Sequence, residues 1–172
     1  LDEKIKKKEI KIIKKPIKLA MRNSMFNPSQ FLVRRKACLD SGGSDERIKF
    51  SQEYSMTLRL ARLGNFVKLD YPIAILPRIS PGQISEKKNN QIFRVSKALE
   101  FFLEDNPDLE LKYKLYAQRR LTARSWRFAR RVAKANFFSS WFVYYLIGLL
   151  GLNLNIVNVC KKSNKVYEKF LD

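Results

Sequence analysis

Acidic and amide side chains crowd one short stretch of this sequence. Ser41-Gly42-Gly43-Ser44-Asp45-Glu46 is followed, five residues later, by Gln52-Glu53-Tyr54. Adjacent glycines let a chain bend sharply and let its backbone approach a ligand closely. A carboxylate in the first turn of a helix is held ionised by the positive end of the helix dipole, which suits it to accept a proton from a hydroxyl rather than to donate one. Glu53 is the candidate base. The same position also serves a plain glutamate that only steadies the helix start, and Asp45 and Glu46 fit loop solvation and capping.

The composition removes several other chemistries. There is no histidine among the 172 residues, so imidazole bases, histidine triads and Cys/His zinc sites are excluded. Cys38 and Cys160 stand far apart and give no disulfide framework. The formal net charge is +19, which repels itself unless it meets nucleic acid, acidic lipid or a phosphorylated substrate. The chain opens Leu1-Asp2-Glu3-Lys4 with neither methionine nor an apolar signal core, and is expected to begin inside a longer protein.

The elements that must position these residues follow from periodicity. Asp2 to Lys18, lysine-rich with Ile5, Ile10, Ile12 and Ile13, suits a basic amphipathic helix broken near Pro16. Gln30 to Val33 is a short apolar run of strand type after the turn Met25 to Ser29. From Phe50 to Leu63, Tyr54, Leu58 and Ala61 recur at helical spacing and Gly64-Asn65 supplies the stop. Phe66 to Tyr71 alternates as a strand, with a second extended piece over Ile73 to Leu76. Ser85 caps a helix predicted from Glu86 to about Glu104, ended by Asn106-Pro107. The order strand, glycine loop, helix, strand is α/β in character.

The motifs carry a resemblance. Gly42-Gly43-Ser44-Asp45-Glu46, then Gln52-Glu53-Tyr54 and Leu58-Arg59-Leu60-Ala61, are similar to a stretch of family 2 glycosyltransferases of the GT-A type. There a Gly-Gly-x-Asp-Glu loop precedes a helix that starts (Glu/Gln)-Asp-Tyr and continues Leu-Arg-Leu-Ala. Asn27 to Arg35 resembles the acceptor-side strand leading into that loop, and Gly64 to Leu69 the strand that follows. The likeness covers about a third of the chain, Asn23 to Ser85. It implies an α/β fold, the C-terminal portion of a Rossmann-like GT-A domain, over residues 1–106, with the nucleotide-binding half lying outside this chain.

The resemblance also implies roles. Glu53 falls where the family keeps its catalytic base, although the family's residue is usually Asp, one methylene shorter, and Gln52 stands where Glu is common. Asp45, Glu46 and Gln52 would border the acceptor pocket. Arg59 would either touch substrate or pair with a carboxylate beneath the site. Arg78 corresponds to a loop near the diphosphate in which relatives carry Arg-x-His, and the histidine is missing here. The family holds Mg or Mn and the donor diphosphate with an Asp-x-Asp element, and no Asp-x-Asp occurs in this sequence. The metal ligands are therefore expected outside this chain, and the chain alone is expected to be inactive. The implied partners of the full enzyme are a nucleotide-sugar donor and an envelope or lipid-linked glycan acceptor.

Beyond Pro107 the composition changes, and residues 107–172 read as a separate basic helical region. No acidic residue lies between Glu110 and Glu168. A helical wheel over Leu115 to Lys134 gathers every arginine and Lys134 on one side, with Leu121, Trp126, Phe128, Ala129, Val132 and Ala133 on the other. The uncharged stretch that follows centres on Trp141 to Leu152. It falls short of the roughly 20 apolar residues of a spanning helix, which favours a helix in the membrane interface or a hairpin packed on the preceding helix. Arg120, Arg124, Arg127, Arg131 and Trp141 are the candidate contacts to an anionic membrane surface, placing the protein peripherally on the cytoplasmic face. The alternative is a basic module without catalysis that binds nucleic acid or a membrane surface. Nucleic acid is the disfavoured partner, because Trp141 to Leu152 is too apolar to track phosphates.

Overall fold

The computed structural model describes residues 10–22, 24–48, 51–70, 88–152, 155 and 158, the side chains of 28 and 88–94 aside. In chain order these form β1 (Ile10–Ile13), α1 (Ile17–Arg22), a 3-10 turn (Pro28–Gln30), α2 (Arg35–Asp40), α3 (Gln52–Leu63), β2 (Phe66–Leu69), α4 (Lys88–Asp105), α5 (Leu111–Arg131) and α6 (Ser140–Leu150). The architecture is mixed and mostly helical, with one two-stranded antiparallel sheet among the described residues. The strand piece expected at Ile73 to Leu76, together with Arg78, Ser85 and Cys160, lies outside them.

Three expectations are corrected. The N-terminal helix is not formed over Ile10 to Ile13, which is extended and pairs with β2 in the register Ile10↔Leu69, Lys11↔Lys68, Ile12↔Val67, Ile13↔Phe66. Isoleucine and lysine satisfy a helical pattern, but β-branched residues also fit a pleated surface, and the distant partner strand decides between them. The apolar run after Gln30 is extended but enters no ladder among the described residues. Phe26 stacks on Phe31 at 4.1 Å and closes the 3-10 turn, while Leu32 is wholly exposed. A short helix, α2, follows where only a loop entry was expected; none of its residues is buried, so it leaves no periodic apolar signal.

The core is built where α1, α3, α4 and the first half of α5 meet. Ile17, Ala20 and Met21 of α1 pack with Tyr54, Leu58 and Ala61 of α3, with Ala98, Leu99, Phe102 and Leu103 of α4, and with Leu109, Ala117 and Leu121. Each fully buried large apolar side chain contributes about 1.5–3 kcal/mol. The Tyr54 hydroxyl donates to the Met21 carbonyl at 3.0 Å, so this polar atom deep in the core is satisfied. Burial pushes the Tyr54 phenol up to about 12, against the pull of Arg124 and Arg120. The packing runs without a break through Pro107, which ends a helix in the middle of a shared core. Asn106 caps α4 by donating to the Phe102 carbonyl at 2.6 Å, and Arg62 clasps Asp108 at 2.7 Å, tying the end of α3 to this turn.

The sheet is lopsided. Phe66 and Ile13 turn to the core side, with Lys11 and Lys68 beside them, and Phe66 packs on the core cluster. The alternation of the strands sends Ile10, Ile12, Val67 and Leu69 to the opposite face, where all four are exposed. The more apolar face of the sheet is the open one.

Candidate functional site

The loop from Ser41 to Ile48 lies against the head of α3, and side chains of α3 hold it there. Gly42 and Gly43 both adopt left-handed backbone, with φ of 80° and 63°, a conformation that costs any other residue about 1–2 kcal/mol. The bend turns the Ser41 and Gly43 carbonyls toward Arg59. That guanidinium donates to both, Nη1 to Ser41 and Nη2 to Gly43, each at 2.7 Å. Its fork spans the two carbonyls as no ammonium could. Burial lowers the Arg59 pKa, with Asp45 opposing the shift.

Gln52 does the same work one layer up. Its Oε1 accepts from the Asp45 amide at 3.1 Å, and its Nε2 donates to the Asp45 carbonyl at 2.8 Å and to the Ile48 carbonyl. These bonds are made beside Ser51, which stands in left-handed backbone at φ 61° and offers no side-chain cap to α3. The Gln52 amide thus supplies locally the order that a conventional N-cap would have given.

Asp45 is engaged by Arg47. The carboxylate accepts from the Arg47 backbone amide at 3.1 Å and from its guanidinium at 2.8 and 2.9 Å, and the Asp45 side chain is only 8% exposed. This bonding holds the Asp45 pKa below the usual carboxylate value. Arg47 reaches on to Asp105 at the end of α4, bonding Oδ1 at 3.1 Å, and its guanidinium lies 4.5 Å above the Phe101 ring. The paired carboxylates raise the Arg47 pKa. Arg47 was not anticipated from sequence. Its partner Asp105 is remote along the chain, and no local pattern announces it.

Of the sequence-predicted residues, the structure therefore brings Asp45, Gln52 and Arg59 together as the frame of the glycine loop, with their polar atoms on protein partners. Glu46 is exposed at the loop surface. Arg78 lies outside the described residues. Glu53 is half-buried in the first turn of α3, and its backbone carbonyl accepts from Thr57 Oγ1 at 2.5 Å. Among the described residues, no partner holds its carboxylate. No group of three His, Cys, Asp or Glu side chains among the described residues is placed to hold a metal ion. The divalent metal that the family resemblance implies thus has no seat in them.

The basic region is a helical hairpin in which α6 folds back along α5. Gly148 lets the two helices touch, since a Cβ there would lie 1.9 Å from Thr122 Oγ1. Buried Gln118 donates to the Leu152 carbonyl at 3.2 Å and Arg119 to the Leu149 carbonyl at 2.9 Å, so α5 caps the C-terminal end of α6. Trp126 packs against Phe137, Phe142 and Tyr145 at 5.7, 5.2 and 6.4 Å near the turn. No helix among the described residues is long and apolar enough to cross a membrane.

The five membrane-contact candidates divide. Arg127 and Arg131 are exposed, whereas Arg120 and Arg124 are half-buried on the flank of α5 near Tyr54. Arg120 donates to the carbonyl of Arg22, which ends α1. The helical wheel separates charge from apolar surface but does not show that α5 is covered on two sides, by the core and by α6. Trp141 is half-buried.

No protein-family profile, curated protein or solved structure matches this chain.

Proposed function

We propose that residues 41–69 form the acceptor side of an inverting glycosyltransferase and that Glu53 is its general base. In the reaction, an acceptor hydroxyl attacks the anomeric carbon of a nucleotide sugar from the face opposite the leaving group. Its proton passes to the Glu53 carboxylate as the new glycosidic bond forms, and the bond to the nucleotide diphosphate breaks with its electron pair on the leaving oxygen. Configuration inverts because the displacement is a single one.

One observation carries the reading. At the head of α3 the loop is held by Gln52, Arg59 and Arg47, and the two carboxylates that this framework does not use are the exposed Glu46 and the half-buried Glu53, of which Glu53 alone stands in the first turn of a helix. A base must be ionised and open to its substrate, whereas a residue that supports the loop must not be. The order diglycine loop, α3 and β2 follows the last three motifs of the resemblance, while the strand it implies before the loop enters no ladder among the described residues. Donor and metal binding are assigned to sequence outside this chain, since it has no Asp-x-Asp. In that arrangement the open apolar face of Ile10, Ile12, Val67 and Leu69 would lie against the remaining part of the enzyme.

The test is Glu53→Gln in the whole transferase, measured as incorporation of labelled sugar from nucleotide-sugar donors into membrane glycolipid and polysaccharide. Loss of the base lowers turnover by about 10²- to 10⁴-fold. The loop stays in place, because its supports are other residues. Transfer at the native rate by E53Q removes Glu53 from the mechanism.

A further inference from the structure

We infer that the α5–α6 hairpin docks on an anionic lipid bilayer, with the outer face of α6 and the hairpin tip entering the interface and Arg130, Arg131 and Lys134 lying among the headgroups. The inference stands apart from the sugar-transfer reading and rests on how the helices are layered.

Helix α5 packs on the core through Ala117 and Leu121 and holds α6 along its neighbouring flank through Gln118, Thr122 and Trp126. The sequence of α6, Ser-Trp-Phe-Val-Tyr-Tyr-Leu-Ile-Gly-Leu-Leu, has no charged residue. A helix at the surface of a water-soluble protein turns a polar face outward. Here the outward residues are apolar. Val143, Leu146 and Leu150 follow one another at helical spacing and are 53%, 38% and 68% exposed.

At the turn, Phe138 is 97% exposed and Phe137 61%. Phe138 projects outward at the end of the hairpin, while Phe137 leans on Trp126 and Phe142 with its outer side open, a convex tip that enters a fluid interface more readily than it matches a rigid protein surface. An α6 of 11 residues is about 16 Å long, against about 30 Å of bilayer hydrocarbon, so it lies along the interface and does not cross it.

The charge around this patch names the lipid. Arg130 and Arg131 end α5, Lys134 follows in the turn, and all three are exposed. The Arg130 guanidinium lies 5.9 Å from both the Trp126 and Phe137 rings, so cation and apolar surface adjoin. The sequence has no acidic residue between Glu110 and Glu168, and at a net charge of +19 a second copy of the chain is repelled. Nucleic acid would use the cations but leaves Val143, Leu146 and Leu150 without a partner. Arg120 and Arg124 belong to the inner flank of α5 and take no part.

The experiment is flotation of the full chain with vesicles of phosphatidylcholine alone and of equal parts phosphatidylcholine and phosphatidylglycerol. The chain floats with the second and stays behind with the first. Arg130→Gln, Arg131→Gln and Lys134→Gln each weaken binding about fivefold. Phe138→Ser with Leu150→Ser abolishes flotation, while Val67→Ser, at an equally exposed position on the sheet, leaves it unchanged. All these positions are exposed, and circular dichroism of each variant should match the parent. Flotation that survives F138S/L150S, or that ignores the acidic lipid, overturns the inference. So does binding to single-stranded DNA at the same salt that displaces the vesicles and is untouched by F138S/L150S, a result that assigns the surface to nucleic acid.

Discussion

The glycine loop and the helical hairpin treat their side chains in opposite ways. At the loop, most polar groups that could greet a substrate are turned back onto the protein, and Arg59, Gln52 and Arg47 together bond seven backbone or carboxylate groups. At the hairpin the inner contacts are close and well capped, but the outer face is an apolar surface with cations beside it. The contrast shows that candidate ligands chosen by residue type include many that only hold the frame. The residues proposed for function are among those the frame does not use: Glu53 in one region, and the outer face of α6 with its bordering cations in the other.

The sharpest way to break the comparison is Gly148→Ala. The added methyl meets Thr122 side-chain atoms at 1.9 to 2.8 Å, so α6 must lift from α5. Overpacking of this kind costs about 3 kcal/mol, and more where the atoms cannot yield. A thermal melt with tryptophan fluorescence should show the loss, because Trp126 reports the aromatic cluster at the turn. The glycine loop should keep its structure, since none of its supports comes from α6.

Next in size is Arg59→Met, which keeps much of the side chain's bulk and removes both bonds to the loop carbonyls. Hydrogen bonds from a charged donor are worth about 1.5–3 kcal/mol each when lost, and partial exposure of Arg59 brings the expected total to about 2–3 kcal/mol. Denaturant unfolding measures the loss, and hydrogen exchange should localise it to 41–48. Arg59→Lys should recover under half, because one ammonium cannot span both carbonyls.

The smallest effect comes from acid. The Asp45 pKa is depressed in the folded protein by its bonds to Arg47, so its contribution is present above the ordinary carboxylate value and is lost as pH falls through the depressed one. Stability should decline below about pH 4, by about 1 kcal/mol or less given the exposed guanidinium, and Asp45→Asn should remove that part of the acid dependence. Denaturant midpoints at pH 3 and 6 provide the comparison.

The same contrast explains what could be read in the sequence. Helices α3, α4 and α5 announce themselves because their apolar residues recur at helical spacing over ten residues or more and their ends carry Gly64 or Asn106-Pro107. The diglycine bend was legible for the same local reason. Helix α2 buries nothing, and β1 depends on a partner far along the chain, so neither has a local signature. At the site, Glu53 stood out by its position at a helix start. The role of Arg47 was hidden because its meaning lies in Asp105 and Phe101, brought to it by the packing of α4 near α3. The two-sided coverage of α5, which takes Arg120 and Arg124 off the outer surface, is likewise a property of three helices and not of one.

The pairing of β1 with β2 also ties together two segments made at different times during synthesis. Ile10 to Ile13 leaves the ribosome well before Phe66 to Leu69, and closing so long a loop is unfavourable until the contacts within it have formed. Packing of α1 on α3 around Tyr54 shortens that loop to the few residues on either side of the two helices, so the ladder closes at less entropic cost once they are in place.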